Sequence, residues 1–163
     1  MAIHPVRKYP DEALRKVAEK VSDISGDLCK LSEDMVETMR AARGIGLAAN
    51  QIGVCVRIIT LDVGLEKETS PLVLINPEIV EAGSEETAEE GCLSLPGFYE
   101  TVKRAQRVLV KATTLEGKEF SMDCAGLLAR AFQHEIDHLN GILLIDHLSP
   151  VKRQLFRKEY MKE

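Results

Sequence analysis

Apolar residues in the segment SGDLCKLSEDMVETMRAARG recur at three- and four-residue steps. Leu28, Leu31, Met35, Met39 and Ala42 fall on one stripe, the period of a helix with one buried face. Ser25 stands where an N-cap would sit, and Gly44 where a left-handed residue would end the helix. A shorter helix is expected in DEALRKVAEKV, after Pro10. The texture then changes. VCVRIITLD (54–62), LVLINPEIV (72–80), RVLVKATT (107–114) and KEFSMD (118–123) are short, rich in Val, Ile and Thr, and bounded by turn residues such as Gly64, Gly83 and Gly117. They read as strands, the last two forming a hairpin near Glu116 and Gly117. Helical period returns over 124–139 and stops at Asn140-Gly141, and a final short helix over 151–161 follows Pro150. Helices at both ends with strands between them predict an α+β fold with a mainly antiparallel sheet, not alternating βαβ units.

No repeat, low-complexity tract or long linker interrupts this pattern, so one domain over residues 1–163 is expected. An apolar share of 45% and a charged share of 29% are those of an ordinary soluble globular protein. The net charge of −5 argues against general nucleic-acid binding. Charge is uneven, however: from Val151 to Glu163 five basic residues face two acidic ones, a net +3, which leaves −8 on the remainder. No apolar run approaches the ~20 residues of a membrane span. The opening MAIHPVRKYPDEAL lacks the look of a secretion or transit signal. Cys29, Cys55, Cys92 and Cys124 occur singly, without a CxxC pair, and read as reduced thiols in a cytoplasm. Small apolar neighbours make Cys29, Cys55 and Cys124 expected core residues.

Chemistry enters with QHEIDHLNGILL. On the 124–139 helix Leu127, Ala131, His134 and His138 share one face, and two histidines one turn apart bring both imidazoles to a single point. Glu135, beside the first, occupies the general-base position of HExxH hydrolases, although a lone helix glutamate is more often a solvated charge. A catalytic metal needs a third protein ligand. The metzincin pattern HExxHxxGxxH finds its glycine at Gly141 but Leu144 where its third histidine belongs, and His147 comes three residues too late. A thermolysin-like reading needs a downstream glutamate. Glu159 lies at about that distance, but in a charged run where a solvated ion pair is the simpler role.

Two other stretches fit neither a strand nor a plain helix. GIGLAANQIG (44–53) holds three glycines and the long amide Gln51, and EEGCLSLPG (89–97) sets Cys92 between Gly91 and Leu93. Each is compatible with a tight turn, a backbone near a ligand, or a buried loop. Together GIGLAANQ, EGCLSLP and QHEIDHLNG, in that order, resemble the three signature segments of bacterial-type peptide deformylases. The opening IHPVRKYPDEALRKVAEKV, LINPEI and GILLIDHLS extend the resemblance over nearly the whole chain.

The resemblance implies a mainly antiparallel sheet packed around a central metal-binding helix, with further N- and C-terminal helices. It implies that Cys92 joins His134 and His138 as metal ligands, leaving a position open for water. The implied activity is removal of the N-formyl group from the initiator methionine of nascent proteins, releasing formate. Glu135 would serve as general base and then acid, with the Gln51 amide and the Leu93 N–H stabilising the oxyanion. Main-chain groups near Ile45, Gly46 and Gly91 would bond the peptide, and Ile45, Leu127 and Ala131 would line the methionine pocket. The implied cofactor is one divalent metal per chain, Fe(II) in the cell, with Zn(II), Ni(II) or Co(II) able to substitute. The implied partners are formyl-methionyl nascent polypeptides, with a transient ribosome contact through the basic C-terminal segment. Neither a membrane nor a specific nucleic-acid sequence is expected as a partner.

Asp137 is expected either to pair with a cation such as Arg104 and steady the metal helix, or to be a plain surface residue. Leu144 and Tyr99 depart from the phenylalanine and arginine of some relatives without touching a ligand or catalytic position. A zinc endopeptidase, or a ribosome-bound protein without activity, are the competing readings. The second is disfavoured by intact Glu135, Gln51 and Cys92.

Overall fold

The computed structural model describes residues 2–63 and 71–160. Helix α1 spans Gly26–Ala41, strand β1 Gly46–Ala48, β2 Ile58–Leu61, β3 Leu72–Cys92, β4 Leu95–Thr113, β5 Glu119–Ala125, helix α2 Gly126–Leu139 and helix α3 Pro150–Tyr160. The five strands form one sheet in the order β1-β2-β3-β4-β5, every neighbouring pair antiparallel. This is the expected α+β class.

The stripe on α1 is buried as its period requires: Met35 and Met39 are fully enclosed with Leu47, Ile58 and Ile75. On the other layer α2 sets Phe132, Ile136 and Leu139 against Ile59, Leu61, Leu74, Val108 and Val110. Each such side chain contributes roughly 1.5–3 kcal/mol relative to exposure. Cys29 corrects the expectation of a core thiol: it is exposed, because it lies one residue, about 100°, off the apolar stripe. Cys55 and Cys124 are half-buried.

The end of α1 also differs in detail. Arg43, not Gly44, takes the left-handed conformation (φ 59°). The Gly44 N–H bonds the Met39 carbonyl at 3.0 Å and the Arg43 N–H that of Arg40 at 3.0 Å, a Schellman ending. Ser25 sits at the N-cap but its hydroxyl makes no capping bond. The expected helix after Pro10 shortens to a single 3-10 turn, Glu12–Arg15, capped by Asp11. Beyond it the chain is extended, because Ala18 N bonds Leu139 O (2.8 Å) and Glu19 N bonds Cys55 O (3.0 Å). Tertiary pairing outweighs the local helical preference there.

The largest departure is the β3–β4 hairpin. The apolar runs 72–80 and 107–114 are only its base; both strands continue to a two-residue turn at Leu93-Ser94, where Cys92 pairs with Leu95. The β3 side of the added arm, rich in glutamate and poor in β-formers, carries no alternating apolar signal. Pairing with its partner and cover from α2 hold it in place: Val102, Arg104 and Glu90 are buried. Where β5 has ended, the Gln133 side chain on α2 takes over the free backbone edge of Ala105, accepting from its N–H at 2.9 Å and donating to its carbonyl at 2.8 Å. The middle of the hairpin is thereby held against α2. The expected exit of α2 is present, with Gly141 left-handed (φ 74°) and Ile142 N bonding Asp137 O at 2.9 Å. The turn expected at Gly64 and the last residue of the expected 151–161 helix lie outside the described residues.

Candidate metal centre

Three elements meet at one point: the tip of β3 carries Cys92, α2 carries His134 and His138, and the turn after β1 carries Gln51. The ligand atoms of Cys92, His134 and His138 lie within 4.8 Å of one another, with Cys92 Sγ 3.3 Å from His138 Nε2. The two imidazoles stand edge to face, centroids 5.0 Å apart. His134 Nδ1 is 3.0 Å from Glu90 Oε1, which assigns the proton to Nδ1 and leaves Nε2 free as a donor atom toward a metal. Burial pushes the Cys92 thiol up, but the adjacent His138 and His134 more than offset this and hold it well below the ordinary thiol range. The cysteine is thus poised as a thiolate.

Neither alternative ligand approaches this cluster. His147 Nε2 contacts Asp137 at 2.9 Å, and Glu159 lines a separate groove beside Phe98 and Phe156.

Glu135 is buried at 4% exposure, not a solvated helix charge, and its Oε1 has no hydrogen-bond partner among the described residues. Burial raises its pKa, against the pull of His134 and His138. A carboxylate beside two imidazoles and a thiolate, left with an unfilled acceptor, is suited to bonding a water or substrate proton. The fit to a divalent metal follows from the donor set: one thiolate, two imidazoles and an adjacent base.

Gln51 is fully enclosed. Its Oε1 accepts from Ala48 N at 2.9 Å, which turns the NH2 group toward Ser94 Oγ (3.1 Å) and Cys92 Sγ (3.8 Å). The donor end of the amide therefore faces the cluster. Around it lies a cavity of about 580 Å³ whose lining includes Ile45, Gly46, Gly91, Leu93, Leu127 and Ala131, every residue expected to bind substrate. Ile45, Leu127 and Tyr99 form its half-open rim, at 42%, 49% and 65% exposure.

Sequence reasoning missed the support behind the candidate ligands. Buried Glu90 accepts from Arg104 (Nε 2.6 Å, Nη2 2.9 Å) and Arg130 (Nη1 2.6 Å), besides its bond with His134. Burial opposes ionisation of Glu90, but His134 and Arg104 hold its carboxyl far below the usual range. Arg130 is held further by the carbonyls of Val102 (3.0 Å) and Glu86 (2.8 Å). Arg104 also donates to Asp137 at 2.7 Å, so the paired alternative for Asp137 is the one realised. Ser94, fully buried against Gln51, was also unforeseen. The available signals were an arginine inside an apolar helix face and a glutamate two residues before the cysteine.

Known proteins resemble this chain over nearly its whole length. The family model described as Polypeptide deformylase matches residues 3–154. The chain is 57% identical over 161 residues to a protein named Peptide deformylase from Thermodesulfovibrio yellowstonii, covering 98% of each. It is 48% identical to one of that name from Alkalilimnicola ehrlichii, covering 99% of this chain and 91% of the other. Among solved structures, a peptide deformylase from Legionella pneumophila superposes with a TM-score of 0.92 at 48% identity, covering 99% and 95% of the two chains. One from Synechococcus elongatus in complex with actinonin gives 0.89 at 40% identity, covering 95% and 86%.

Proposed function

Because the chain belongs to the polypeptide deformylase family, and so removes the N-formyl group from nascent proteins, we propose that it does so with one divalent metal held by Cys92, His134 and His138. The observation that carries this reading is the convergence of those three ligand atoms within 4.8 Å beside a buried, unsatisfied Glu135 carboxylate oxygen.

A divalent metal bound there supplies a Lewis acid that lowers the pKa of a water and polarises the formyl carbonyl. The chain's own groups do the rest. Glu135 takes the proton of the attacking water and returns it to the departing amine; its raised pKa, set by burial, suits both halves of that role. Gln51, its amide orientation set by Ala48 N, offers N–H to the developing oxyanion, joined by the Leu93 main-chain N–H at the hairpin turn. Ile45, Gly46 and Gly91 present backbone to the peptide, and Ile45, Leu127 and Ala131 enclose the methionine side chain. Glu90 and Asp137 act behind the ligands. We assign residues 1–163 to one such domain, working in a cytoplasm; among the described residues no helix is long and apolar enough to cross a membrane.

The native metal in this reading is Fe(II), with Zn(II), Ni(II) or Co(II) able to replace it, since a Cys-His-His set does not exclude iron by ligand type. For the C-terminal segment, the burial of Phe156 against Phe98 (4.7 Å) and Tyr9 (5.7 Å) supports a covering role for α3. The exposed Arg157 and Lys158, free of ion pairs among the described residues, support a transient ribosome contact from its outer face.

The test of the activity is a comparison of formyl-Met-Ala-Ser with acetyl-Met-Ala-Ser. The extra methyl must fit among fixed donors and lowers the carbonyl's electrophilicity, so formate release should far outpace acetate release. Comparable rates would contradict the reading.

A further inference from the structure

His147 fails as a third ligand by position, yet the fold connects it to the metal site. Its Nε2 lies 2.9 Å from Asp137 Oδ2. The same oxygen accepts from Arg104 Nη1 at 2.7 Å. Arg104 grips Glu90 through Nε and Nη2 at 2.6 and 2.9 Å, and Glu90 Oε1 meets His134 Nδ1 at 3.0 Å. An unbroken line of hydrogen bonds therefore runs from a surface histidine to an imidazole of the ligand cluster. Arg104 is buried and Asp137 only 22% exposed, whereas the His147 side chain, at 30%, is the member nearest solvent.

The turn that presents His147 is itself held in place. The 3-10 turn Leu144–His147 buries Leu144 and Ile145 completely in the cluster around Leu14 and Leu95. Asp146 accepts from Leu143 N at 2.9 Å and from Arg15 Nη1 and Nη2, at 2.5 and 3.1 Å, and Arg15 Nη1 also reaches Gly141 O at 3.1 Å. His147 is thus delivered to Asp137 by a segment anchored outside α2, on Arg15, Leu14 and Leu95, as well as at the exit of α2.

We propose that His147 is a positioning residue of the metal site: by donating to Asp137 it holds that carboxylate on Arg104, and through Arg104 and Glu90 it fixes the orientation of His134. The inference rests on the metal reading above. Loss of the donor frees Asp137 to turn toward water, loosens Arg104 at one of its three carboxylate contacts, and lets Glu90 and the His134 ring move. The competing account is a surface contact that only closes the C-terminal turn onto α2.

The experiment compares nickel-loaded wild type with His147→Phe, which keeps a planar ring without a donor, and His147→Gln, which keeps an N–H near the Nε2 position. Direct partners of ligands change metal affinity by 10–100-fold, and His147 is further removed, so His147→Phe should release nickel to excess chelator roughly three- to tenfold faster. Its kcat should fall by a similar factor with KM unchanged, the melting temperature of the metal-free protein should stay at the wild-type value, and His147→Gln should restore both rates. Nickel release and kcat at wild-type values in His147→Phe would overturn the inference alone, whatever happens to melting. Equal losses in the Phe and Gln variants would also overturn it, since the donor would then be irrelevant. A wild-type chain that takes up no nickel would overturn the metal reading and this inference with it.

Discussion

Gly46 and Glu135 share a space that admits only one of them with a side chain. A Cβ built on Gly46 would stand 2.6 Å from Glu135 Oε2 and 2.9 Å from Leu61 Cδ2. The backbone of Gly46 is ordinary extended strand, so the glycine serves close approach and not a left-handed turn. Gly46→Ala should therefore act through contact: the carboxylate is displaced, and activity on a formyl-methionyl peptide falls by roughly 10²-fold or more. Overpacking against Leu61 should cost about 1–3 kcal/mol of stability. Kinetics and thermal melting of the same sample check both, and a fully active variant would show that Glu135 need not stand where it does.

Glu135→Gln tests the base itself. Glutamine keeps the shape but cannot take the proton, so metal content and melting should remain near wild type while kcat drops roughly 10²–10⁴-fold. Wild-type turnover at wild-type metal content would assign the proton transfer to another group.

Acid stability should depend on a pair remote from the site. Asp34 on α1 accepts from His4 Nε2 at 2.9 Å and from Ala2 N at 2.8 Å, and these bonds, the histidine's foremost, hold its carboxyl below the ordinary value. A carboxyl whose folded pKa is depressed stabilises the fold above its unfolded pKa, about 3.9, and loses that contribution as pH falls through the folded value. Asp34→Asn should therefore lower the melting temperature at pH 7 and show a smaller further loss between pH 5 and pH 2 than wild type. Equal losses over that range would mean that Asp34 does not couple folding to pH.

Much of this was legible in the chain, and the misses share a cause. The period of α1, the exit of α2 at Gly141 and the HExxH pair are local signals that no long-range pairing overrides. Cys92 as the proposed third ligand was visible only through family resemblance, because its place at the tip of β3 depends on a hairpin whose β3 side has no apolar alternation. Glu90, Arg130 and Ser94 were invisible for the same reason: each works through residues 14 to 44 positions away. The helix expected after Pro10 failed where Ala18 and Glu19 found long-range backbone partners.

Oxidation separates chemistry from exposure among the thiols. Cys29 is the exposed cysteine, whereas Cys92 is the one held toward the thiolate by His138 and His134. In iron-loaded protein kept in air, mass spectrometry should find added oxygen on Cys92 before Cys29, Cys55 or Cys124, with activity lost in step, because thiolate character governs entry to the sulfenic and higher acids. Nickel-loaded protein should keep its activity. Oxidation at Cys29 first, with Cys92 intact as activity falls, would remove Cys92 from the explanation.

Cys92→Ser should hold metal far less tightly, since a neutral hydroxyl replaces an anionic sulfur. The central claim is tested most directly by measuring formate release and bound metal together as wild-type protein is titrated with a chelator. One metal per chain at the start, with activity falling in proportion to the metal removed and returning on reloading, is the result expected of a Cys92-His134-His138 centre. Full formate release from protein that retains no metal would contradict it.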